Sequence, residues 1–326
     1  MAWGRVLRVV VRTPGTLSGG VWTYTETEVQ ALRVECSVTR SRVFRDNEAT
    51  ITIYNANADT RNRVLRRGSN VAVYAGYERG GDEGLIYQGN ILDASSVDVG
   101  PDNVTTIRSM ALRSLERPFT ATPVSLSFKA GTTADKVLAA IGAILGLVVV
   151  GKAEAAKVTL KGTWTYVGGV GGALERLGRD MRAQGRGLYI DLAELVCYSL
   201  VGDSTYRVTY LDRASGLLEL VDTTDYMAAA RATIDTMGEK EGSPSASAPV
   251  VKAGTDDVYA AIEQAWTSVR KTYSARTIMV PSLRPNDIVQ VKDGDVDAVL
   301  VVDGMEIEAG NGPRSGFGMT LSLVEV

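Results

Sequence analysis

Apolar and polar residues alternate through the stretch Glu48–Ala111, and that period of two leaves a chain of this kind few choices besides antiparallel sheet. In ATITIYN, Ile51 and Ile53 share one face while Thr50, Thr52 and Tyr54 share the other, the pattern of a half-buried strand. A short polar link, Asn55 to Arg67, reads as helical. NVAVYAGY then alternates again. LIYQGNIL, SSVDVG, the turn Gly100-Pro101-Asp102-Asn103 and VTTIRSMAL complete a meander of locally paired strands. Upstream, RVLRVVVR, VWTYTE and LRVECSVT bring residues 1–117 to seven or eight short strands, the pattern of a sandwich or barrel.

The arginines of this region cluster in its links, Arg40, Arg42 and Arg45 in one, Arg61, Arg63, Arg66 and Arg67 in another. They read either as a solvated face or as a contact surface for an acidic neighbouring subunit. The net charge of −3 argues against a broad basic surface for gripping nucleic-acid phosphates. MAWGRVLRVVVR has the look of a first strand rather than a secretory signal, and the longest apolar run, Val137 to Val150, is 14 residues. A membrane span needs about 20, so the expectation is a soluble protein. Cys36 and Cys197 match no metal spacing. Leu32, Val34, Cys36 and Val38 fall on one strand face, which predicts a buried structural thiol at Cys36.

Past residue 117 the period changes. Val137, Leu138, Ile141, Ile144 and Leu145 recur at helical spacing behind Thr132 or Thr133 as N-cap. Leu174, Leu177 and Met181 do so again before Gly185 and Gly187 close that helix and lead to a strand. Residues 118–190 therefore read as a small α/β insertion. ELVCYS, TYRVTYL and LLELVDT return to strands over 191–326. That region is expected to hold a mobile loop at 238–256 and an amphipathic helix at 257–273, with Val258, Ile262, Ala265, Trp266, Val269 and Tyr273 on one face. DIVQVK, AVLVVDGMEIE and FGMTLSLVEV end the chain. A faint repeat lines up GSNVAVYAGY, LIYQGNILD and NVTTIRSMAL with PNDIVQVKDG, VLVVDGMEIE and FGMTLSLVEV, setting Gly89 against Gly304.

Chemistry-bearing motifs are thin. The absence of histidine removes Ser-His-Asp and Cys-His machinery and histidine-bearing zinc sites. Asp222 with Asp225 and Asp256 with Asp257 read as solvated or capping acids. Gly146–Lys152 fits GxxxxGK, but Ala153 follows the lysine and the loop is Leu and three valines, unsuited to cradling phosphate. Gly168–Gly172 lacks the third glycine of a dinucleotide fingerprint and reads as a tight turn that permits close packing. Asp293, Asp295 and Asp297 mimic a calcium loop, yet Ala298 and Gly304 occupy its glycine and glutamate positions, and a hairpin at Asp293-Gly294 accounts for them. The sequence thus predicts no catalytic, cofactor-binding or metal-binding residue, and no enzyme.

One resemblance joins these pieces. The Leu-x-x-Gly ending at Leu65 to Gly68, the strand closing in Ala75, Gly76 and Tyr77, and the strand carrying Ile86, Tyr87, Gly89 and Ile91 resemble, in that order, the first barrel of the baseplate or tail hub proteins of tailed phages and related contractile particles. The resemblance implies two tube-type antiparallel β-barrels flanking the small α/β middle domain. It implies a homotrimer that joins the sixfold tail tube to a trimeric spike beside other baseplate proteins, with DNA only as transient cargo of a central channel. A location in the virion's tail baseplate, after synthesis in the host cytoplasm, follows. The acidic balance adds a channel wall that is not strongly basic. Two readings from other classes stay open, a histidine-free glycan-active enzyme using two carboxylates and a carbohydrate- or protein-binding β module.

Overall fold

Strand accounts for 58% and helix for 16% of the computed structural model, so the fold is mainly β, with antiparallel sheets. It describes residues 4–18, 21–29, 32–42, 47–64, 66, 68–78, 83–111, 123–192, 194–200, 208–225 and 270–325. The first half comprises β1 (Arg5–Ser18), β2 (Val21–Val29), β3 (Val34–Ser41), β4 (Glu48–Tyr54), α1 (Ala58–Val64), β5 (Asn70–Tyr77), β6 (Gly84–Val99) and β7 (Asp102–Met110). The middle holds β8 (Pro123–Phe128), α2 (Ala134–Leu145), β9 (Val148–Val150), α3 (Lys152–Ala156), β10 (Trp164–Gly169), α4 (Val170–Arg182), β11 (Arg186–Asp191) and β12 (Glu194–Ser199). The last part adds β13 (Val208–Leu211), β14 (Leu217–Asp222), β15 (Thr272–Thr277), β16 (Ile288–Asp293), β17 (Val296–Gly310) and β18 (Phe317–Glu325).

One sheet runs through both outer parts in the order β14-β15-β18-β17-β3-β4-β7-β6-β5-β1-β2, with β16 and β13 branching from β17. The halves meet where β17 pairs antiparallel with β3, Gly304 opposite Ser41 through Gly310 opposite Glu35. One apolar cluster accordingly spans both: Ile51, Val71, Val73 and Ile107 are buried together with Val289, Val291, Leu321 and Leu323. Burying apolar faces of both halves in one core stabilises the junction in proportion to the area removed from water. Among the described residues the ladder is an open path and no closed barrel forms.

Each half contains a long middle strand that changes partners along its length. Residues 84–90 of β6 pair with β5 and residues 90–99 with β7; residues 296–301 of β17 pair with β16 and residues 300–309 with β18. Both handovers carry a one-residue bulge, at Leu92 and at Asp303. Following the registers outward from the bulges places Ile107 on Leu321, Ile51 on Ala275 and Val71 on Val289, every one fully buried. The order β3-β4-β7-β6-β5 thus recurs as β14-β15-β18-β17-β16. The sixth position differs, because β1 runs antiparallel to β5 and β13 parallel to β16. Against this equivalence the sequence alignment is in register for NVTTIRSMAL with FGMTLSLVEV, one residue out for the first strand, and four out for the middle one, where Leu92 rather than Gln88 stands against Asp303.

In the middle, β11, β12 and β9 form a sheet in which β12 is parallel to β9, and β8 pairs with β10. Val137, Leu138 and Ile141 of α2 and Leu174, Leu177 and Met181 of α4 share a core with Leu195 and Cys197 of β12, so ELVCYS packs with the middle elements. Thr133 is the N-cap of α2 and Gly146 ends it at a left-handed φ of 68°. Ile144, expected on the packed face, is instead 45% exposed. Tyr273, expected to end a helix, lies in β15, where the strand-alternating Tyr273, Ala275 and Thr277 point inward. The rest of that expected helix through 269, and the expected loop at 238–256, lie outside the described residues.

Candidate functional site

Two-residue periodicity gives the common sheet one apolar and one polar side. β3 turns Val34, Cys36 and Val38 inward and Ser37 and Thr39 outward; β4 buries Ala49, Ile51 and Ile53 and exposes Glu48 and Thr50. On β17, Met305, Ile307 and Ala309 are buried while Glu306 and Glu308 are exposed; on β18, Ser322 is exposed between buried Leu321 and Leu323. The outward side is therefore Ser/Thr-rich. Among the described residues Glu48, Asp93, Glu219, Asp297, Glu306 and Glu308 are exposed on it beside the exposed cations Arg108, Arg276 and Lys292, a negative balance shared by both halves.

The junction is tied at both ends. At one, Asn311 accepts a hydrogen bond from the Val34 amide at 2.8 Å and donates to the Leu32 carbonyl at 2.7 Å. At the other, the Arg42 amide donates to the Asp303 carbonyl at 3.1 Å and the two side chains form an ion pair. A cleft of about 390 Å³ opens on the outward side here, lined by Glu35, Ser37, Thr50, Thr52, Glu308, Arg314 and Ser315 among others. Glu35 takes hydrogen bonds from Arg33 at 2.7 Å, Ser315 at 2.9 Å and Tyr54 at 3.2 Å. The Arg33 guanidinium, with the Ser315 and Tyr54 hydroxyls, holds this carboxyl below its usual range. A glycosidase acid needs a carboxyl raised toward neutrality, so Glu35 is tuned in the wrong direction for that work.

A second set of contacts fixes the middle elements to the sheet. Arg40, on the inward parity of β3, is 1% exposed and grips Asp191 of β11 in two hydrogen bonds, Nε to Oδ1 at 2.8 Å and Nη2 to Oδ2 at 2.5 Å. Asn47 donates to the Ile190 carbonyl at 2.6 Å, and the Tyr189 hydroxyl donates to the Pro285 carbonyl at 2.7 Å. Arg284 pairs with Glu194 at 2.5 Å. Arg40 is thus neither a solvated nor a contact-surface cation, which corrects the reading of that arginine cluster. Its signal lay in the sequence: it shares the parity of Val34, Cys36 and Val38. Arg63 is also engaged, with Asp59 at 3.0 Å and Thr27 at 2.9 Å, while Arg66 is exposed. Arg45 and Arg67 lie outside the described residues.

The weak motifs have structural roles. Gly151 sits at φ 75° where a Cβ would fall 2.0 Å from the Cys197 carbonyl oxygen, so the GxxxxGK match is a close backbone approach. At Gly172 a Cβ would meet the Tyr166 hydroxyl at 2.0 Å, the close packing expected for that glycine run. Asp293 closes a hairpin onto Val296 beside Gly294 at φ 59°, and its carboxylate takes Arg213 at 3.0 and 3.1 Å. Asp222 accepts from the Thr224 amide at 2.9 Å. Cys36 and Cys197 are buried and unpaired with each other, burial raising both thiols, Cys197 to about 12. Among the described residues no helix is long and apolar enough to cross a membrane, and no cluster of His, Cys, Asp or Glu could hold a metal.

A family model described as baseplate hub gp41 matches residues 6–228 of the chain. No curated protein sequence matches it. Among solved structures, the tail protein from Neisseria meningitidis MC58 is 13% identical, with 99% of this chain and 97% of that one covered at a TM-score of 0.57. The 43 kDa tail protein of prophage MuSo2 from Shewanella oneidensis is 10% identical over 97% and 98%, also at 0.57. A chain of the Francisella PdpA–VgrG complex is 7% identical at 0.54, and this chain spans 58% of its length. At such identities the likeness to these structures is one of fold.

Proposed function

The chain belongs to the baseplate hub gp41 family, a structural component of the phage tail baseplate, and on that premise we propose that it is the adaptor between a sixfold tail tube and a trimeric spike. Three copies form a ring whose centre is part of the channel. Two tube-type barrel units per chain, the parts around 1–117 and 200–326, supply six units per ring, and the α/β middle from about 118 stands outside them. The observation that carries this is the recurrence of one five-strand order in both halves, joined by β3 on β17 into a common sheet. A threefold molecule with two like units presents sixfold features to a tube and threefold features to a spike.

The outward, Ser/Thr-rich and acidic side of that sheet is the channel wall in this reading, where excess negative charge keeps passing DNA from adhering. DNA is cargo only. The remaining partners are the tube protein, the spike and other baseplate proteins, with the exposed Arg66, just past α1, a tube- or subunit-facing contact. The chain performs no catalysis. Mixed with its tube and spike proteins, the chain is expected to give a threefold ring with an open centre in negative-stain averages. Light scattering should give three times 34.8 kDa, about 104 kDa, for the hub alone or a multiple of three hubs in the complex. A single hub copy bound to tube or spike would overturn the reading.

A further inference from the structure

Charge is divided unevenly along the chain. Residues 123–192 hold nine lysines and arginines against five aspartates and glutamates, a net charge of +4 in a chain whose total is −3. Three of those five acids are engaged: Asp191 with Arg40 of β3, Glu154 with Lys157 and Arg186, and Asp180 with the Trp164 indole, whose Nε1 donates to it at 3.1 Å. The middle elements therefore show a cationic surface, whereas the polar side of the common sheet is acidic. Arg179 and Arg182 have a local role in the last turn of α4, where unpaired carbonyls favour positive charge. Lys161 and Arg176 are exposed away from any helix C-terminus, and among the described residues no carboxylate pairs with either.

These two cations line a cleft of about 280 Å³ between residues 159–164 and α4, with Asp180 and Gln184 in its wall. Its backbone is held in place: the Gln184 side chain accepts from the Thr159 amide at 3.2 Å and donates to the Thr159 carbonyl at 3.1 Å. Arg176 is held as well. Its Nη1 donates to the Thr165 carbonyl at 2.8 Å, and its guanidinium lies 5.5 Å from the centre of the Trp164 ring. The rest of this planar fork is free to take a carboxylate. We propose that the cleft docks an acidic segment of another protein, a run of Asp or Glu side chains laid between Lys161 and Arg176. Single-stranded nucleic acid is gripped by stacking bases on exposed rings, and the ring at this cleft, Trp164, is 3% exposed beneath Arg176. Asp180 in the wall also disfavours a phosphate backbone, charged at every step, more than a peptide whose acids can be spaced around it. This site adds a partner surface to the hub reading and holds whether or not three copies form a ring.

Fluorescence anisotropy of a labelled, N-acetylated oligoglutamate peptide titrated with the full chain tests this. Binding should be measurable at low salt and weaken as salt is raised. Lys161→Gln with Arg176→Gln should weaken it by about tenfold or more, because two charge-assisted contacts are lost. Lys136→Gln with Lys152→Gln removes the same charge from other exposed positions of the middle elements and should leave binding nearly unchanged. On the native chain, a water-soluble carbodiimide, which couples a carboxyl to an amine with loss of water, should join the peptide to Lys161, as located by mass spectrometry of the digest. That readout needs no variant to fold. Absence of binding, equal weakening by the two double variants, or coupling spread evenly over the lysines of the middle elements would overturn the site. An oligonucleotide of the same length that displaces the peptide and binds more tightly through the same two residues would overturn it too, assigning the cleft to nucleic acid. Light scattering reads the ring separately, so none of these results bears on the trimer.

Discussion

Arg40 and Asp191 form the most deeply buried ion pair among the described residues. Both are almost fully buried, and the fork of the guanidinium meets the carboxylate at two points. Removing one partner leaves a buried charge uncompensated, so Arg40→Ala or Asp191→Ala is expected to cost about 3–5 kcal/mol. Thermal melting of the single variants checks this, and a well-packed apolar replacement of both should recover most of the loss. Glu35 sets a pH effect of known sign. Its native carboxyl lies below the unfolded one, so the unfolded chain binds the extra proton between the two values. The stabilisation is complete above the unfolded value and is lost as pH falls through the folded one. Melting temperature should therefore drop more for the native chain than for Glu35→Gln between pH 5 and pH 3, about the range of carboxyl titration. Arg40 was legible from strand parity, but its partner was not, because 151 residues separate them and nothing local links them.

Individual elements were legible where periodicity alone decides them and illegible where packing does. The inward faces of β3, β4 and β18 follow directly from alternation, as do α2 and α4 from their helical spacing. Ile144 satisfied the same spacing and is exposed, because spacing defines a stripe and only the neighbours define its width. Ile141→Ala should accordingly cost about 2–5 kcal/mol, whereas Ile144→Glu should leave the melting temperature nearly unchanged. Gly151 is a sharper case. A side chain there meets both a left-handed φ and the Cys197 carbonyl, so Gly151→Ala should lose more than the roughly 1–2 kcal/mol of the backbone term. A melting temperature within 1 °C of the native value, about the spread of a neutral surface change, would show that the α3–β12 approach can relax.

At the scale of the whole molecule, the duplication was visible but misaligned, and glycine was the reason. Gly89 and Gly304 look alike in sequence and do different work: a Cβ at Gly89 would strike the Tyr87 hydroxyl, Ser109 and the Met110 carbonyl, while Gly304 has nothing nearer than 3.4 Å and follows a bulge. Bulges, not glycines, mark equivalent points of the two halves, and no sequence pattern announces a bulge. The common outward face has the same origin in tertiary pairing. Glu306 and Glu308 belong to the second half yet continue the polar side of β3 and β4. If that face lines the channel, Glu306→Lys with Glu308→Lys replaces two negative charges by two positive ones in each chain and, with three chains, puts a cationic band around passing DNA. Both positions are exposed, so folding and ring assembly should be unaffected. DNA release from assembled particles should slow at low salt and recover as salt rises, because each phosphate contact is weakened by added counterions. Release at the native rate across all salt concentrations would place this face away from the DNA path and assign the channel to another surface of the same ring.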